Sequence, residues 1–177
     1  MKKFIGAICS GAAGLLTFIW LSLPWFAMSS EGMKMTASGW QLIANKATVK
    51  GEGMSIVMED VFTEFKAAYT LSKVFAIIAL VVACLLVAYA VVLVLKNLNV
   101  IKFNFKYNFV NNIALSVFAG VVLMAVVGVI VMAVAALKEM GNPDGVSMYA
   151  SVGAWLSLVF AAAACACGWV FARKENK

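Results

Sequence analysis

Residues 74–95 read VFAIIALVVACLLVAYAVVLVL, and none of these side chains carries a charge. A bilayer core of about 30 Å needs about 20 apolar residues in a helix. Three further uncharged stretches of comparable length occur in the chain, and each is expected to be a helix because irregular backbone is too costly in hydrocarbon. We therefore predict four transmembrane helices, at Phe4–Phe26, Val74–Leu95, Phe109–Ala136 and Met148–Ala172.

The composition of the 177-residue chain supports the same class of protein. Apolar residues make up 64% and charged residues 12% of it, against roughly 45 to 50% and 25% in soluble domains. These values exclude a water-soluble globular domain and a disordered chain. We predict a single integral membrane domain over residues 1–177, an all-α four-helix bundle with a small extracytoplasmic β/α subdomain in the first loop. That loop covers about 27–73, the cytoplasmic loop covers 96–108, and a short extracytoplasmic loop covers 137–147.

The distribution of charge predicts the orientation. The two termini and the cytoplasmic loop together carry eight basic side chains and one acidic one, a net charge of +7. The other two connections carry six basic and seven acidic side chains, a net charge of −1. By the positive-inside rule, both termini lie in the cytoplasm of a multi-pass cell-membrane protein. The overall charge of +6 therefore reflects topology, and no nucleic-acid partner is expected.

The N-terminus also has features of a secretory signal. Lys2 and Lys3 precede an apolar run, and Ala27-Met28-Ser29 offers a site with small residues at both ends. The uncharged run before that site is longer than the 7 to 15 apolar residues typical of a signal. We therefore expect an uncleaved first helix.

Several residue types that carry chemistry are missing from the sequence or from the spans. The chain has no histidine, so it lacks the usual haem ligand and the usual general base. The four cysteines lie in apolar runs and form no recognisable disulfide framework. No charged residue lies inside a predicted span, whereas carriers and pumps normally have ionisable groups there. We expect no enzyme activity, no catalytic residue, no cofactor and no metal site.

Small residues mark the helix faces that we expect to pack together. Lipid tails are as apolar as leucine, so helices associate in membranes chiefly by close packing of small side chains. In the fourth span such residues recur at alternating steps of four and three, which makes one continuous stripe. The predicted packing residues are Gly11 and Gly14 in the first span, Gly120 and Gly128 in the third, and Ala154, Ser157, Ala161 and Gly168 in the fourth.

The first loop is too long to be structureless in a compact protein. Residues 33–49 contain Thr and Val between turn signals, which favours short strands or a hairpin. From Met54 the spacing of Val57, Val61 and Phe65 favours an amphipathic helix that leads into the second span. The acidic residues of that segment are interpreted as a solvated face, with a cation-binding patch as the alternative.

Aromatic residues supply the candidate contact surfaces. Trp25 is expected to anchor the chain at the membrane interface, and Trp40 either to cap a small outer core or to meet a partner. From Ile101 to Phe109 aromatic or aliphatic residues alternate with Lys and Asn, which favours a strand with one apolar face. Its function is either an interfacial belt or a docking edge for a cytoplasmic partner. The interaction candidates are Trp25, Gly39, Trp40, Phe103, Phe105 and Tyr107.

Three short motifs resemble a known group of proteins. Leu23-Pro24-Trp25 ends the first span, Gly39-Trp40 lies in a first loop of about 45 residues, and Gly153-Ala154-Trp155 lies near the outer end of the fourth span. This arrangement resembles the claudin and peripheral myelin protein group of tetraspan proteins. The resemblance implies a left-handed four-helix bundle with a small extracellular sheet, used for lateral assembly or for accompanying other membrane proteins.

The sequence also departs from that group. The two loop cysteines that follow the group's tryptophan motif are absent, so junction formation does not carry over. The Leu-Pro-Trp and Gly-Trp signals are also similar to those of uncharacterised bacterial four-helix membrane proteins.

The expected function is protein–protein interaction without enzyme activity. The chain would serve as an accessory subunit, an assembly factor or an immunity-type scaffold. Its partners would be the lipid bilayer and either another membrane protein or further copies of itself. A passive channel or small-molecule permease formed by oligomerisation stays open as the alternative.

The orientation predicts which sites are accessible from outside the cell. Cysteines substituted at Lys50 and Asn142 should react with a membrane-impermeant thiol reagent applied to intact cells, and one at Asn104 should not. The measurement is reagent-dependent mass shift of the full chain. The opposite labelling pattern would contradict the predicted topology.

Overall fold

The computed structural model describes residues 4–63, 66–101, 107–141 and 143–175. Four of its helices are long and apolar enough to cross a membrane, which confirms the prediction of four apolar helices. The strands between these helices differ from those predicted. The elements are α1 (Ile5–Ser22), β1 (Pro24–Ser30), β2 (Met33–Ser38), α2 (Gly39–Ile43), β3 (Lys46–Gly51), β4 (Met54–Glu59), α3 (Lys66–Asn97), α4 (Tyr107–Glu139), β5 (Ser147–Ala150) and α5 (Val152–Glu175).

The four long helices form a ring in which each packs chiefly against two neighbours. α1 packs against α3 and α5, and α4 packs against the same two helices. α1 and α3 run antiparallel, because a Cβ at Gly11 would lie 3.4 Å from Ala90 whereas one at Gly14 would meet Ala83. Consecutive helices alternate in direction, so all five strands lie at one end of the bundle. We call this the sheet end, and the opposite end, where α1 begins, the termini end.

The predicted boundaries of the first and fourth spans were wrong. α1 ends at Ser22 rather than Phe26, because Leu23 is extended (φ −79°, ψ 156°), as a residue before proline prefers to be. Met148 belongs to β5 rather than to a helix, and α5 begins only at Val152. α3 and α4 begin earlier and end later than predicted.

One antiparallel sheet combines residues from both connections at the sheet end. Its strand order is β4-β3-β2-β1-β5. β5 comes from the short connection before α5 and pairs with β1, with Phe26 opposite Ala150. The prediction of a four-helix bundle with a small subdomain of strands is confirmed, with the difference that this sheet also includes β5 from outside the first loop. Strand β5 was missed because its partner is more than a hundred residues away in the sequence.

The segment that begins at Met54 is a strand, which corrects the expectation of an amphipathic helix. β4 pairs with β3 along its whole length, from Lys46 opposite Glu59 to Gly51 opposite Met54. The connecting residues Glu52 and Gly53 have φ values of 45° and 79°. Two consecutive positive φ values are what a two-residue type I′ hairpin turn requires. β4 pairs with β3 alone and is therefore an edge strand of the sheet. Helix α3 begins after it, at Lys66.

The strand register assigns each side chain to one of two faces. Residues directly opposite each other on neighbouring strands point to the same side, and residues two apart on one strand do so too. One side is almost wholly apolar, and we call it the methionine face; it consists of Phe26, Met28, Ser30, Met33, Met35, Ala37, Ala47, Val49, Gly51, Met54, Ile56, Met58, Met148 and Ala150. The polar face carries Ser29, Lys34, Thr36, Lys46, Thr48, Lys50, Ser55, Glu59 and Ser147, with Ala27, Val57 and Tyr149 among them.

Aromatic side chains join the methionine face to the bundle. Phe26 on β1 meets Phe62 edge to face, with ring centroids 5.6 Å apart. Phe62 in turn stacks on Tyr69 of α3 at 5.5 Å, and the hydroxyl of Tyr69 donates to the carbonyl of Leu42 in α2 (2.9 Å). These side chains belong to one buried cluster, so the sheet is fixed to the first turns of α3.

Most of the predicted small residues lie where two helices approach closely. A Cβ at Gly14 would lie 2.6 Å from the carbonyl oxygen of Ala83, and one at Gly128 would lie 2.9 Å from Cα of Ser72. The stripe on α5 faces the bundle, since Ala154, Ser157 and Ala161 are fully buried and a Cβ at Gly168 would meet Leu115. The expectation was wrong for Gly120, which is exposed with no atom within 4 Å of its Cβ position.

The two glycines Gly14 and Gly120 provide a matched test of this packing. Gly14→Ala forces the new methyl against the backbone of α3, and overpacking of this kind costs about 1 to 3 kcal/mol of stability. Gly120→Ala places the same methyl in open space and should be neutral or stabilising by up to about 1 kcal/mol, because alanine favours helix. Thermal unfolding midpoints in detergent should fall for the first variant only. Equal midpoints for the two variants would contradict the close contact of α1 with α3.

Candidate functional site

Trp25 lies inside the protein, which corrects its expected role as an interfacial anchor and as an interaction residue. It is 2% exposed, and its indole Nε1 donates to the carbonyl of Trp20 in α1 (2.9 Å). Its own carbonyl accepts a hydrogen bond from the amide of Ser151 (2.7 Å), directly before α5. Trp25 therefore joins α1, β1 and the start of α5, and its side chain is not available to a partner.

Gly39 and Trp40 begin the short helix α2, where they have different roles. Ser38 caps this helix: its hydroxyl accepts from the amide of Gln41, and the Gln41 side chain accepts from the amide of Ser38. Gly39 is buried, because a Cβ there would lie 2.6 Å from Cδ2 of Leu21. The next residue, Trp40, lies at the surface, where it is 37% exposed and stacks on Phe18 of α1 at 6.3 Å.

Trp40, rather than Trp25, therefore has the features of an interfacial tryptophan. It covers an exposed apolar ring near the sheet end of α1, while part of its surface remains accessible. Tryptophan is enriched at the boundary between hydrocarbon and water because its ring is apolar and its N–H is polar. Trp40 therefore lies at the surface, and the second of its two expected roles, contact with a partner, stays a prediction.

The interaction candidates in the loop predicted to be cytoplasmic are largely outside the described residues. Phe103 and Phe105 belong to this undescribed segment, and so does the side chain of Tyr107. The backbone from Tyr107 onward forms the first turn of α4. The predicted strand from Ile101 to Phe109 is therefore wrong in its last three residues.

Strand β4 is the most exposed apolar element of the sheet. All six of its residues are exposed, including Met54 (66%), Ile56 (59%), Val57 (56%) and Met58 (49%). Large apolar side chains appear on both of its faces, since Val57 shares the polar face with Thr48. A solvent-exposed strand with this composition is unusual, because natural edge strands are normally protected by charge, proline or a covering element.

The register also identifies which backbone groups of β4 lack a partner strand. Gly51 and Met54 flank the two-residue turn and form the hydrogen-bonded pair that closes the hairpin; in the same alternation, the amide of Asp60 donates to the carbonyl of Asn45 (2.8 Å). Such pairs alternate along an antiparallel ladder. The backbone groups of Met54, Ile56 and Met58 therefore face β3, and those of Ser55, Val57 and Glu59 point away from the sheet.

The acidic residues at the end of β4 are engaged within the protein. Glu59 accepts a hydrogen bond from the ammonium group of Lys46, and this bond, together with the positive charge, holds the pKa of Glu59 below its usual value. The pair is therefore intact at neutral pH and is lost as the pH falls through that lowered pKa. Asp60 accepts from the side chain of Asn45 (2.9 Å). Within the described residues no group of three or more His, Cys, Asp or Glu side chains could hold a metal ion.

A polar cluster at the termini end, with Ser10 and Asn111 buried and Trp169 exposed, was missed by the sequence reasoning. Ser10 of α1 donates to the side-chain carbonyl of Asn111 in α4, and Asn111 donates to the carbonyl of Gly6 (3.4 Å). On the other side of α4, the indole of Trp169 donates to Ser116 (3.0 Å). The consecutive residues Asn111 and Asn112 in an apolar stretch were the available signal. The cluster links α1, α4 and α5, because polar side chains in helix contacts hydrogen-bond across helices.

Because Trp25 is buried and Trp40 is partly exposed, we expect the same substitution to change stability by different amounts at the two positions. Trp25→Phe removes a buried hydrogen bond and part of a buried ring, which should cost about 1 to 3 kcal/mol. Trp40→Phe keeps an aromatic ring over Phe18 at a partly exposed site and should change stability by less than about 0.5 kcal/mol. Thermal unfolding midpoints in detergent measure both effects. A larger loss for Trp40→Phe would contradict this assignment of buried and surface roles.

No protein-family model matches the chain, and no curated protein matches it. The candidate site is therefore defined by geometry alone. It consists of the exposed edge of β4, the methionine face beside it and the surface tryptophan Trp40, all supported by the bundle at the sheet end.

Proposed function

We propose that this chain is a non-enzymatic cell-membrane protein that acts by binding another protein, as an accessory subunit or as an assembly or immunity-type scaffold. The binding edge is β4, and the occupant is an extended segment of the partner. A single observation carries this proposal: the edge strand is exposed along its whole length while it presents four large apolar side chains.

The physics of an edge strand defines the kind of occupant. The outward amides and carbonyls of Ser55, Val57 and Glu59 have the spacing of a sheet ladder, so another strand can pair with them. Glu59 is the single charge on β4, and the strand contains no proline. The usual obstacles to strand addition are therefore weak at this edge.

Apolar contacts supply most of the binding free energy. Burying one large aliphatic side chain contributes about 1.5 to 3 kcal/mol. The exposed side chains of Met54, Ile56, Val57 and Met58 offer several such contributions, which offset the cost of ordering an extended segment. An apolar partner segment is therefore favoured over a charged one.

The surrounding fold supports presentation of this edge to a partner. The aromatic contacts from Phe26 through Phe62 to Tyr69 attach the sheet to α3, so the edge is preformed. The net charge of −1 at the sheet end, against +7 at the termini end, supports an extracytoplasmic position for the sheet. Four apolar helices with a small antiparallel sheet are also what the resemblance to the tetraspan group implies, and lateral assembly is the function that it suggests.

Two substitutions at one position test the proposal. Val57→Pro removes an amide that points away from the sheet and leaves the ladder with β3 complete, whereas Val57→Thr keeps that amide and a similar shape. Tagged chains are isolated in mild detergent from membranes of the native host, and the subunit ratio is measured by mass spectrometry. We expect a stoichiometric foreign subunit with the natural chain and with Val57→Thr, and its loss with Val57→Pro.

Two results would overturn the proposal. One is equal recovery of the subunit with Val57→Pro, after circular dichroism has shown that this variant is folded. The other is a natural chain that isolates as a lone oligomer and conducts ions in planar bilayers, which would favour a channel.

A further inference from the structure

Methionine is concentrated on one side of the sheet. Six of the ten methionines in the chain lie on the methionine face, and none lies on the polar face as defined above. Methionine is not among the residues that favour strands, which are mainly β-branched and aromatic. The six are Met28, Met33, Met35, Met54, Met58 and Met148.

Three of these methionines form a row across adjacent strands. Met28 on β1 lies directly opposite Met35 on β2 and directly opposite Met148 on β5. Directly opposite side chains have Cβ atoms about 4.5 to 5.5 Å apart. The same row continues as Val49 on β3 and Ile56 on β4, so within this row the sulfur atoms lie only on the neighbouring strands β5, β1 and β2. We call Met148, Met28 and Met35 the thioether row.

The thioether row occupies a sheltered but open position. Its three side chains are partly buried and pack against the core cluster that contains Phe26 and Phe62. On β2 the next residue outward on the same face, Met33, is 57% exposed, so the row lies between the core and the solvent there. An ion bound at the row would lose part of its hydration shell and would still be accessible to solvent.

The donor set on this face is soft. No carboxylate, imidazole or thiolate belongs to the methionine face, and Ser30 provides its one side-chain oxygen. Thioether ligands select soft ions such as Cu(I), whereas Mg²⁺ and Ca²⁺ prefer oxygen and Zn²⁺ prefers thiolate, imidazole and carboxylate. The face therefore discriminates against the common divalent cations.

We propose that the thioether row is a binding site for copper(I), with the sulfur atoms of Met148, Met28 and Met35 as the three ligands. Metal–sulfur bonds of about 2.3 Å, the length known for zinc thiolates, place two sulfurs of a trigonal site about 4 Å apart. Neighbouring positions in the row have nearly this spacing at Cβ. Each side chain has three rotatable bonds, which lets the two outer methionines lean toward Met28.

Silver(I) is the probe, because it has the same charge and softness and needs no reductant. The full chain is labelled with methyl-¹³C methionine, held in detergent without chloride, and titrated with silver nitrate. We expect the methyl resonances of Met28, Met35 and Met148 to shift together and to saturate, and zinc to shift none of them. The free thiols of Cys9, Cys84, Cys165 and Cys167 compete for silver, so the titration continues beyond four equivalents and methyl shifts are the readout.

Substitution of the central ligand gives the decisive comparison. Met28→Leu nearly conserves volume and should leave the fold intact, but it removes one sulfur from the row. Loss of a ligand costs at least as much as loss of an outer-shell partner, so the silver affinity reported by Met35 and Met148 should fall at least about 10- to 100-fold. The matched control is Met124→Leu on the exposed side of α4, which should bind as the natural chain does.

Either of two results overturns the copper(I) site. In the first, the resonances of the row stay in place throughout the titration. In the second, Met28→Leu binds silver as tightly as the control variant does. Neither result bears on strand addition at β4, because Val57 lies on the other face of the sheet.

Discussion

The corner at Leu23, Pro24 and Trp25 connects the bundle to the sheet, and the position of every strand depends on it. Pro24 follows the end of α1 and begins β1, while the indole of Trp25 donates back to the carbonyl of Trp20 in the last turn of α1. Gly153 of α5 packs onto the same corner, since a Cβ there would lie 2.7 Å from the carbonyl oxygen of Pro24. A larger residue at position 153 would push α5 away from β1. The pairing of β5 with β1 would then be disrupted. One buried corner thus fixes both the direction of β1 and the attachment of the last strand.

The sequence was sufficient for the four long helices and insufficient for the sheet, and the reason differs between elements. Uncharged length is a local property, so α3 and α4 could be predicted from residues 74–95 and 109–136 alone. The strand β5 contains four residues, and its partner Phe26 lies in an apolar run that continues directly from α1. β4 was misread because Val57, Val61 and Phe65 happen to have helical spacing, although the turn at Gly53 folds the strand back onto β3. The candidate site was predictable at Trp40 but not at β4 or the thioether row, whose existence depends on register.

The strand register explains how one small sheet can offer two different binding surfaces. The polar face carries the lysines Lys34, Lys46 and Lys50, so the opposite face is left to apolar residues and methionine. The edge of β4 then exposes backbone groups beside this apolar face, and the thioether row lies three strands away, around β1. Strand addition uses hydrogen bonds in the plane of the sheet, whereas ion binding would use side chains that project from one face of it. Strand addition therefore requires free backbone groups at the β4 edge, whereas ion binding requires methionine side chains on one face.

The helices are joined by different interactions at the two ends of the bundle. The interactions at the sheet end hold α3 and α4 rigidly beneath the sheet. At the termini end, hydrogen bonds from Ser10 and Asn111 link the helices. Toward the sheet end, α3 and α4 approach so closely at Gly128 that the hydroxyl of Ser72 is buried without a partner among the described residues. An unsatisfied buried hydroxyl costs about 1 to 3 kcal/mol, and the close apolar contact around it must offset that cost. Because such a contact loses its attraction over a fraction of an ångström, α3 and α4 are held at one separation where they support the sheet.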